Sequence, residues 1–128
     1  MSGRPLILVV DDDADLRDAL GEILLDDGYR VAAAANGREA LDLLHAGLRP
    51  ALILLDLRMP VCSGWQFREE QLGDPSLASI PVMVISADLH AYREVPALRV
   101  LEWLPKPLDL GRLFAAIERC VPSPGPSP

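Results

Sequence analysis

Short, unbroken runs of apolar residues recur along this chain, and most end at a polar residue. Three are followed by an acid or a hydroxyl: residues 6–10 by Asp11, residues 52–55 by Asp56, and residues 82–85 by Ser86. Continuous apolar runs of this length are typical of parallel strands covered on both faces. A weaker run at 31–35 and another at 100–104 bring the number of predicted strands to five.

The segments between these runs carry apolar residues at helical spacing. They predict four helices: at 14–27, between the Asn36-Gly37 turn and Gly47, at 65–72, and around residues 110–117. Asp13 or Asp15 can cap the first helix, and Gly28 suits the left-handed turn that ends it.

A fifth helix, the fourth in chain order, is expected in the least regular stretch, residues 88–99. Pro96 lies inside this stretch and would remove a backbone hydrogen bond from a continuous helix. We therefore expect this helix to be short or distorted.

Strands and helices that alternate from end to end predict an α/β fold, with a five-stranded parallel sheet and right-handed crossovers. The common flavodoxin-like, doubly wound arrangement has the strand order 2-1-3-4-5 and binds ligands at the carboxyl ends of its strands. That order brings Asp11 and Asp12 beside Asp56. It also places Ser86 and Lys106 on the same rim of the sheet.

Size and composition favour one globular domain. The chain has 128 residues, of which 50% are hydrophobic and 24% charged. We expect this domain to span residues 1–121 and the Pro/Ser-rich tail, 122–128, to be disordered. Residues 1–128 would also work as a complete single-domain protein, although the tail could equally be a truncated linker.

Net charge, cysteine spacing and the length of the apolar stretches indicate which partners and which cellular location to expect. The net charge of −7 argues against direct binding of nucleic acid, because no basic surplus is available to displace counterions. The two cysteines follow no ligand spacing and indicate reduced thiols. No apolar stretch approaches the roughly 20 residues of a membrane span, so a cytoplasmic protein is expected.

The acids predicted at the strand ends suggest a metal-dependent chemistry. Two carboxylates about 5 Å apart repel by roughly 3 kcal/mol at an effective dielectric near 20, so a divalent cation is implied. Oxygen ligands favour Mg²⁺. A carboxylate such as Asp56 can also act as a nucleophile and form an aspartyl-phosphate. The hydroxyl of Ser86 and the amine of Lys106 would suit a phosphoryl group held there.

Four motifs lie at the predicted strand ends: Leu8-Val9-Val10-Asp11-Asp12-Asp13; Leu55-Asp56-Leu57-Arg58-Met59-Pro60 with Gly64; Ile85-Ser86-Ala87; and Leu104-Pro105-Lys106-Pro107. With these motifs in this order, the chain resembles the receiver domain of two-component response regulators, including the single-domain receivers of chemotaxis. The resemblance covers about residues 6–121.

The resemblance implies a role for each site residue. Asp56 would accept a phosphoryl group from a sensor histidine kinase or a phosphotransfer protein. Asp12 would bind Mg²⁺ directly, Asp11 mostly through water, and Arg58 through its backbone carbonyl. Lys106 would pair with the phosphoryl oxygens.

The same resemblance implies a conformational switch. Ser86 would move toward the phosphoryl group, and Trp103, at a position where the family usually has Tyr or Phe, would turn inward. The Lys106-Pro107 bond is expected to be cis. Output would pass to an unknown downstream protein, and the only catalysis would be of the protein's own phosphorylation and dephosphorylation.

The chain departs from the family pattern in several places. Ser63 stands where Asp usually precedes Gly64, and Arg99-Val100 replaces a customary Gly-Ala. A glycine there normally supplies a left-handed helix end, which Arg adopts only with strain. These changes alter the family's usual output surface, so partner choice and a possible homodimer stay open.

Arg58 and Asp88 lie two positions beyond Asp56 and Ser86 respectively, and should border the mouth of the site. We expect them to form a pair that slows water attack on the acyl phosphate.

Other interpretations of these residues and of the chain remain. Asp13 could serve only as a helix cap, Ser86 could only satisfy a strand end, and Trp103 could be only a core residue. The chain could be a pseudo-receiver interaction module that does not use phosphorylation. It could also be a Mg²⁺-dependent phosphohydrolase, but such an enzyme would need a second acid after the nucleophile, where Arg58 stands.

Overall fold

The computed structural model describes residues 4–87 and 99–122. The expected irregular helix within 88–99, Asp88 itself and residues 123–128 of the tail lie outside the described residues, apart from Arg99 at the end of that stretch.

Five parallel strands form one sheet in the order β2-β1-β3-β4-β5, which confirms the predicted flavodoxin-like topology. The strands are β1 (Leu6–Val10), β2 (Arg30–Ala34), β3 (Leu52–Asp56), β4 (Val82–Ser86) and β5 (Glu102–Pro105). In register, Val10 pairs with Leu55 of β3, and Asp56 pairs with Ile85 of β4. The ends of β1, β3 and β4 therefore lie next to one another.

Four helices are present in the described part of the chain. They are α1 (Ala14–Asp26), α2 (Gly37–His45), α3 (Gly64–Gly73) and α4 (Leu110–Cys120). Each begins after a residue whose side chain accepts a backbone N–H bond of the first turn: Asp13, Asn36, Ser63 and Asp109. Gly28 follows α1 with φ 96°, as its position in the sequence predicted.

The helices cover the two faces of the sheet and enclose two apolar clusters. Alternate residues of β1 face opposite sides: Ile7 and Val9 pack with residues of α1 and α4, whereas Leu8 and Val10 pack with residues of α2 and α3. All five residues of β1, β3 and β4 are buried, as expected for central parallel strands. Within 4–87 and 99–122, no helix has the length and apolarity that a membrane crossing requires.

The fifth strand begins later than the sequence suggests. The predicted strand at 100–104 is observed at Glu102–Pro105, because Arg99 has a left-handed backbone with φ 55° and Leu101 is 56% exposed. The left-handed conformation occurs at Arg99, the position where the resemblance implies a glycine, and the sequence predicts strain for Arg in that conformation. The Lys106-Pro107 bond is cis, as expected.

Candidate functional site

Three carboxylates meet at the carboxyl ends of β1 and β3. Asp11 and Asp12 follow β1, and Asp56 is the last residue of the neighbouring strand β3. One carboxylate oxygen from each lies within 4.8 Å of the others. Asp11 and Asp56 are buried, whereas Asp12 is exposed and gives the cluster an open side toward water.

Lys106 brings a positive charge into this acidic cluster. Its Nζ lies 2.6 Å from Asp11 Oδ2 and 3.4 Å from Asp56 Oδ2. It follows β5 directly, and its backbone N–H donates to the Ser86 carbonyl at 2.9 Å, which extends the pairing of β4 and β5 by one residue. Lys106 is also the only lysine in the chain.

Burial and charge together set the protonation of these groups. Burial, and next the charge of Asp11, raise the pKa of Asp56 to about 6, although Lys106 and the N–H of Arg58 act in the opposite direction. Burial lowers the pKa of Lys106, but the hydrogen bond and charge of Asp11, with the charge of Asp56, outweigh it and the net shift is upward. Asp56 is therefore mostly ionised at neutral pH and Lys106 is protonated.

The donor set fits a divalent cation. Three negative charges face one ammonium group, and two unit charges 4.8 Å apart repel by about 3.5 kcal/mol at an effective dielectric of 20. The available atoms are carboxylate oxygens, the ligand type that Mg²⁺ prefers, and one side of the cluster is accessible.

Asp13 is not part of this cluster. Its side chain accepts bonds from the N–H groups of Asp15 and Leu16, so it caps α1.

Ser86 ends β4, and Trp103 lies on the neighbouring strand β5, two positions before the level of Ser86. Ser86 is the last residue of β4, is 1% exposed, and stands beside Pro105 in register. Trp103 pairs with Val84 in register, and its side chain packs against Leu57 and Val84. Because Leu57 directly follows Asp56 in sequence, Trp103 packs against the residue next to a member of the acidic cluster.

An open pocket of about 350 Å³ forms the mouth of the site. It is lined by Asp12, Leu57, Arg58, Met59, Pro60, Ser63 and Trp65. The exposed guanidinium of Arg58 lies over the Trp65 ring, 5.7 Å from its centroid. Arg58 thus borders the mouth, as expected, whereas its expected partner Asp88 is outside the described residues. The sequence predicts only a packing role for Trp65, and no signal in it indicates that Arg58 stacks on this ring.

The loop between β3 and α3 is held close to the strand end. Val61 has φ 68°, a strained conformation for a β-branched residue, and the Cys62 N–H donates to the Pro60 carbonyl at 2.7 Å. The Gly64 N–H donates to the Leu57 carbonyl at 2.9 Å. A side chain at Gly64 would place its Cβ 2.7 Å from the Leu57 Cα, so only glycine lets α3 begin this close to Asp56.

Comparison with known proteins points to a single family. Residues 7–118 match the family model for the response regulator receiver domain. The sporulation initiation phosphotransferase F of Bacillus subtilis (strain 168) is 30% identical over 116 residues, which cover 91% of this chain and 93% of that protein. Some curated relatives are longer: this chain spans 53% of the response regulator MprA of Mycolicibacterium vanbaalenii, which is 36% identical over 127 residues.

Solved structures with the same fold include a response regulator receiver protein from Pseudomonas putida. It is 34% identical, the TM-score is 0.84, and the match covers 93% of this chain and 99% of that one. The response regulator TrrA from Thermotoga maritima, solved in complex with Mg(2+)-BeF, is 27% identical with a TM-score of 0.81. That match covers 91% of this chain and 99% of the other.

Proposed function

Since the chain belongs to the family of response regulator receiver domains of two-component systems, we propose that Asp56 accepts a phosphoryl group from a sensor histidine kinase or a phosphotransfer protein. The phosphorylated domain then signals through a protein–protein contact. The observation that carries this proposal is the position of Lys106, whose amine lies beside both Asp11 and Asp56 within a cluster of three acids.

The proposed transfer is a displacement at phosphorus. A carboxylate oxygen of Asp56 attacks the phosphorus of a phosphohistidine, the P–N bond breaks, and its electron pair remains on the imidazole nitrogen. The Lys106 ammonium neutralises part of the charge on the phosphoryl oxygens, and the Ser86 hydroxyl donates to one of them. Water later attacks the same phosphorus, the P–O bond to Asp56 breaks, and inorganic phosphate leaves.

Asp11, Asp12, Asp56 and the backbone carbonyl of Arg58 are the proposed Mg²⁺ ligands. When bound, Mg²⁺ would supply the charge that three acids and one lysine leave uncompensated. The spacing of the three carboxylates supports this assignment, as does the Mg(2+)-BeF complex of the Thermotoga neighbour.

Ser86 and Trp103 are the proposed switch residues. Movement of Ser86 toward the phosphoryl group would open space near β5, into which the Trp103 side chain turns. The packing of Trp103 on Leu57, next to Asp56, supports this role.

The remaining parts of the proposal concern the chain as a whole. We place the receiver in residues 1–121, and we place the protein in the cytoplasm. Its downstream partner is a protein rather than nucleic acid, which the net charge of −7 supports. A homodimer is one form that this contact could take.

The direct test is phosphorylation by a small acyl phosphate in the presence of Mg²⁺, followed by intact-mass measurement. We expect the mass of one phosphoryl group to be added, Asp56→Asn to abolish the addition, and EDTA to prevent it. Asp13→Asn is the matched control, because Asp13 is adjacent to the cluster but only caps α1. Absence of any addition to the unmodified protein would contradict the proposal and favour a pseudo-receiver interaction module.

Arg58 and Asp88 are the proposed modulators of dephosphorylation. If Arg58 shields the acyl phosphate from water, Arg58→Ala should shorten the lifetime of the phosphorylated protein. The effect should be no more than about fivefold, because an ion pair made by an exposed side chain such as that of Arg58 contributes at most about 1 kcal/mol. The decay of the added mass after removal of the donor measures this, and an unchanged lifetime would contradict the role of Arg58.

A further inference from the structure

A buried arginine links α3 to the chain that enters β5. Arg68 is only 4% exposed. Its Nη1 donates to Gln71 Oε1 at 2.7 Å, and its Nη2 donates to the Arg99 carbonyl at 2.8 Å. The second bond spans 31 residues of sequence and joins the middle of α3 to the residue that precedes Val100.

The other end of this network is buried and hydrogen-bonded to the backbone. Gln71 is fully buried, and its Nε2 donates to the carbonyls of both Leu77 and Ile80 at 3.0 Å. Those carbonyls belong to the connection between α3 and β4. Gln71 therefore fixes the Arg68 guanidinium in one orientation, with its second donor directed at the Arg99 carbonyl.

The carbonyl that Arg68 holds belongs to a strained residue. Arg99 adopts φ 55°, a conformation that costs a non-glycine residue free energy and needs support from its surroundings. Val100, the next residue, packs against Leu57 and Val84 together with Trp103. The bond from Arg68 thus fixes the point at which the chain turns toward these side chains.

These contacts form a closed series of hydrogen bonds and ion pairs that links β3, α3 and β5. Leu57, which directly follows Asp56, accepts a hydrogen bond from Gly64 of α3, and Arg68 joins α3 to the chain that leads into β5. From the end of β5, Lys106 returns to Asp56 at 3.4 Å. A structural change at Asp56 can therefore be transmitted to β5 by two routes. One passes through Arg68 to the start of the strand, and the other through Lys106 at its end.

We propose that Arg68 is a positioning residue of the switch. By holding the Arg99 carbonyl against α3, it makes the packing of Val100 and Trp103 depend on the phosphorylation state of Asp56. This inference rests on the proposed phosphorylation of Asp56. It assigns to α3 a role in transmission, in addition to its contribution to the core.

The test uses Mg²⁺ with beryllofluoride as a phosphoryl mimic, in a Trp65→Phe background where Trp103 is the only tryptophan. Fluorine NMR reports whether the mimic is bound, and Trp103 emission reports the switch. We expect Arg68→Met still to bind the mimic but to lose most of the Trp103 emission change. Arg38→Met is the control, because this arginine bridges Asp42 and Glu70 at the surface and should leave the response intact.

A second variant separates transmission from stability. Glycine adopts a left-handed backbone without strain, so adding Arg99→Gly to Arg68→Met should raise Tm. The Trp103 response should still be missing, because the link to α3 has not been restored. A full response in Arg68→Met, or one that returns together with Tm in the double variant, would overturn the proposal. Failure of the parent protein to bind the mimic would instead contradict the proposed function.

Discussion

Lys106 lies between two carboxylates that have almost no contact with water, since Asp11 is 0% and Asp56 4% exposed. Without the ammonium group, each buried charge would lose its nearest opposite charge and face the other acid. Removing one partner from a buried pair is costly because the remaining charge stays desolvated. Lys106 therefore stabilises the metal-free protein, in addition to its proposed role as a ligand of the phosphoryl group.

Lys106→Met should therefore destabilise the metal-free protein by about 2 kcal/mol. Urea unfolding in EDTA measures this, and repeating it with Mg²⁺ should show a smaller loss, because the cation replaces the missing charge. Arg119→Met is the control. Arg119 pairs with Glu102 at 2.8 Å, but its side chain is 64% exposed, so its loss should cost less than about 1 kcal/mol. Equal losses in the two variants would show that the Lys106 pairs are no stronger than a surface pair.

The residues of the acidic cluster could be predicted because a short, local sequence pattern marks them. An apolar run followed by an acid marks a strand end, and parallel strands present their ends at one edge. Arg68 follows no such rule. It lies among Gln66, Glu69 and Glu70, in a stretch that is typical of a solvent-exposed helix face. Its burial, and its bond to the carbonyl of Arg99 31 residues later, depend on tertiary contacts and not on the residues around it in sequence.

At the scale of elements, α3 depends on how closely its first turn approaches β3. Ser63 and Gln66 form a capping box at this end, and the Gly64 N–H bonds to the Leu57 carbonyl. A methyl group at Gly64 would also meet the Leu57 side chain at 3.0 Å. Backbone atoms cannot rotate away as a side chain can, so the helix or the strand end would have to shift.

Gly64→Ala should cost about 1–3 kcal/mol, the range for overpacking, and should slow phosphorylation of Asp56 by displacing the strand end. Gly73→Ala provides the comparison at the other end of the same helix, where nothing lies within 4 Å of the added carbon. It should be neutral, or stabilise by up to about 1 kcal/mol, because alanine favours helix. Thermal unfolding and the rate of mass addition measure the two effects. Similar behaviour of the two variants would exclude the close approach as their cause.

The boundaries of elements were harder to predict than their existence. Val100 and Leu101 extend the apolar run of β5 in the sequence, yet the strand begins at Glu102. The left-handed Arg99 directs the chain so that Val100 packs inward and Leu101 faces solvent. Hydrophobicity alone does not encode that turn, at which the Arg99 carbonyl accepts a tertiary hydrogen bond from Arg68.

At the scale of the whole molecule, the order of strands followed from general rules of connection, whereas the contacts that join distant segments did not. Tyr29, between α1 and β2, is the clearest example. Its phenol is 2% exposed and donates to the Val121 carbonyl, 92 residues away, at the end of α4. Nothing in the sequence near Tyr29 indicates this partner, because the contact exists only once α1 and α4 lie on the same face of the sheet.

The Tyr29 contact predicts a stability that depends on pH in alkaline solution. Burial, and next the charges of Asp27 and Glu118, raise the pKa of Tyr29 from 10.0 to about 12. The folded protein therefore keeps this proton in a range where the unfolded chain has released it. Stability from this group is complete below pH 10 and is lost as pH rises toward 12, by up to about 3 kcal/mol.

Tyr29→Phe removes both the hydrogen bond and the titrating proton. At pH 8 the variant should be less stable by about 1 kcal/mol, the contribution of a typical hydrogen bond. As pH rises above 10 this difference should shrink and then change sign, because only the tyrosine protein releases a phenol proton when it unfolds, and alkaline solution favours that release. Urea unfolding at a series of pH values measures the difference, and groups present in both proteins contribute equally to the two curves. A difference that stays constant from pH 8 to 11 would mean that the phenol ionises as easily in the folded protein as in the unfolded chain.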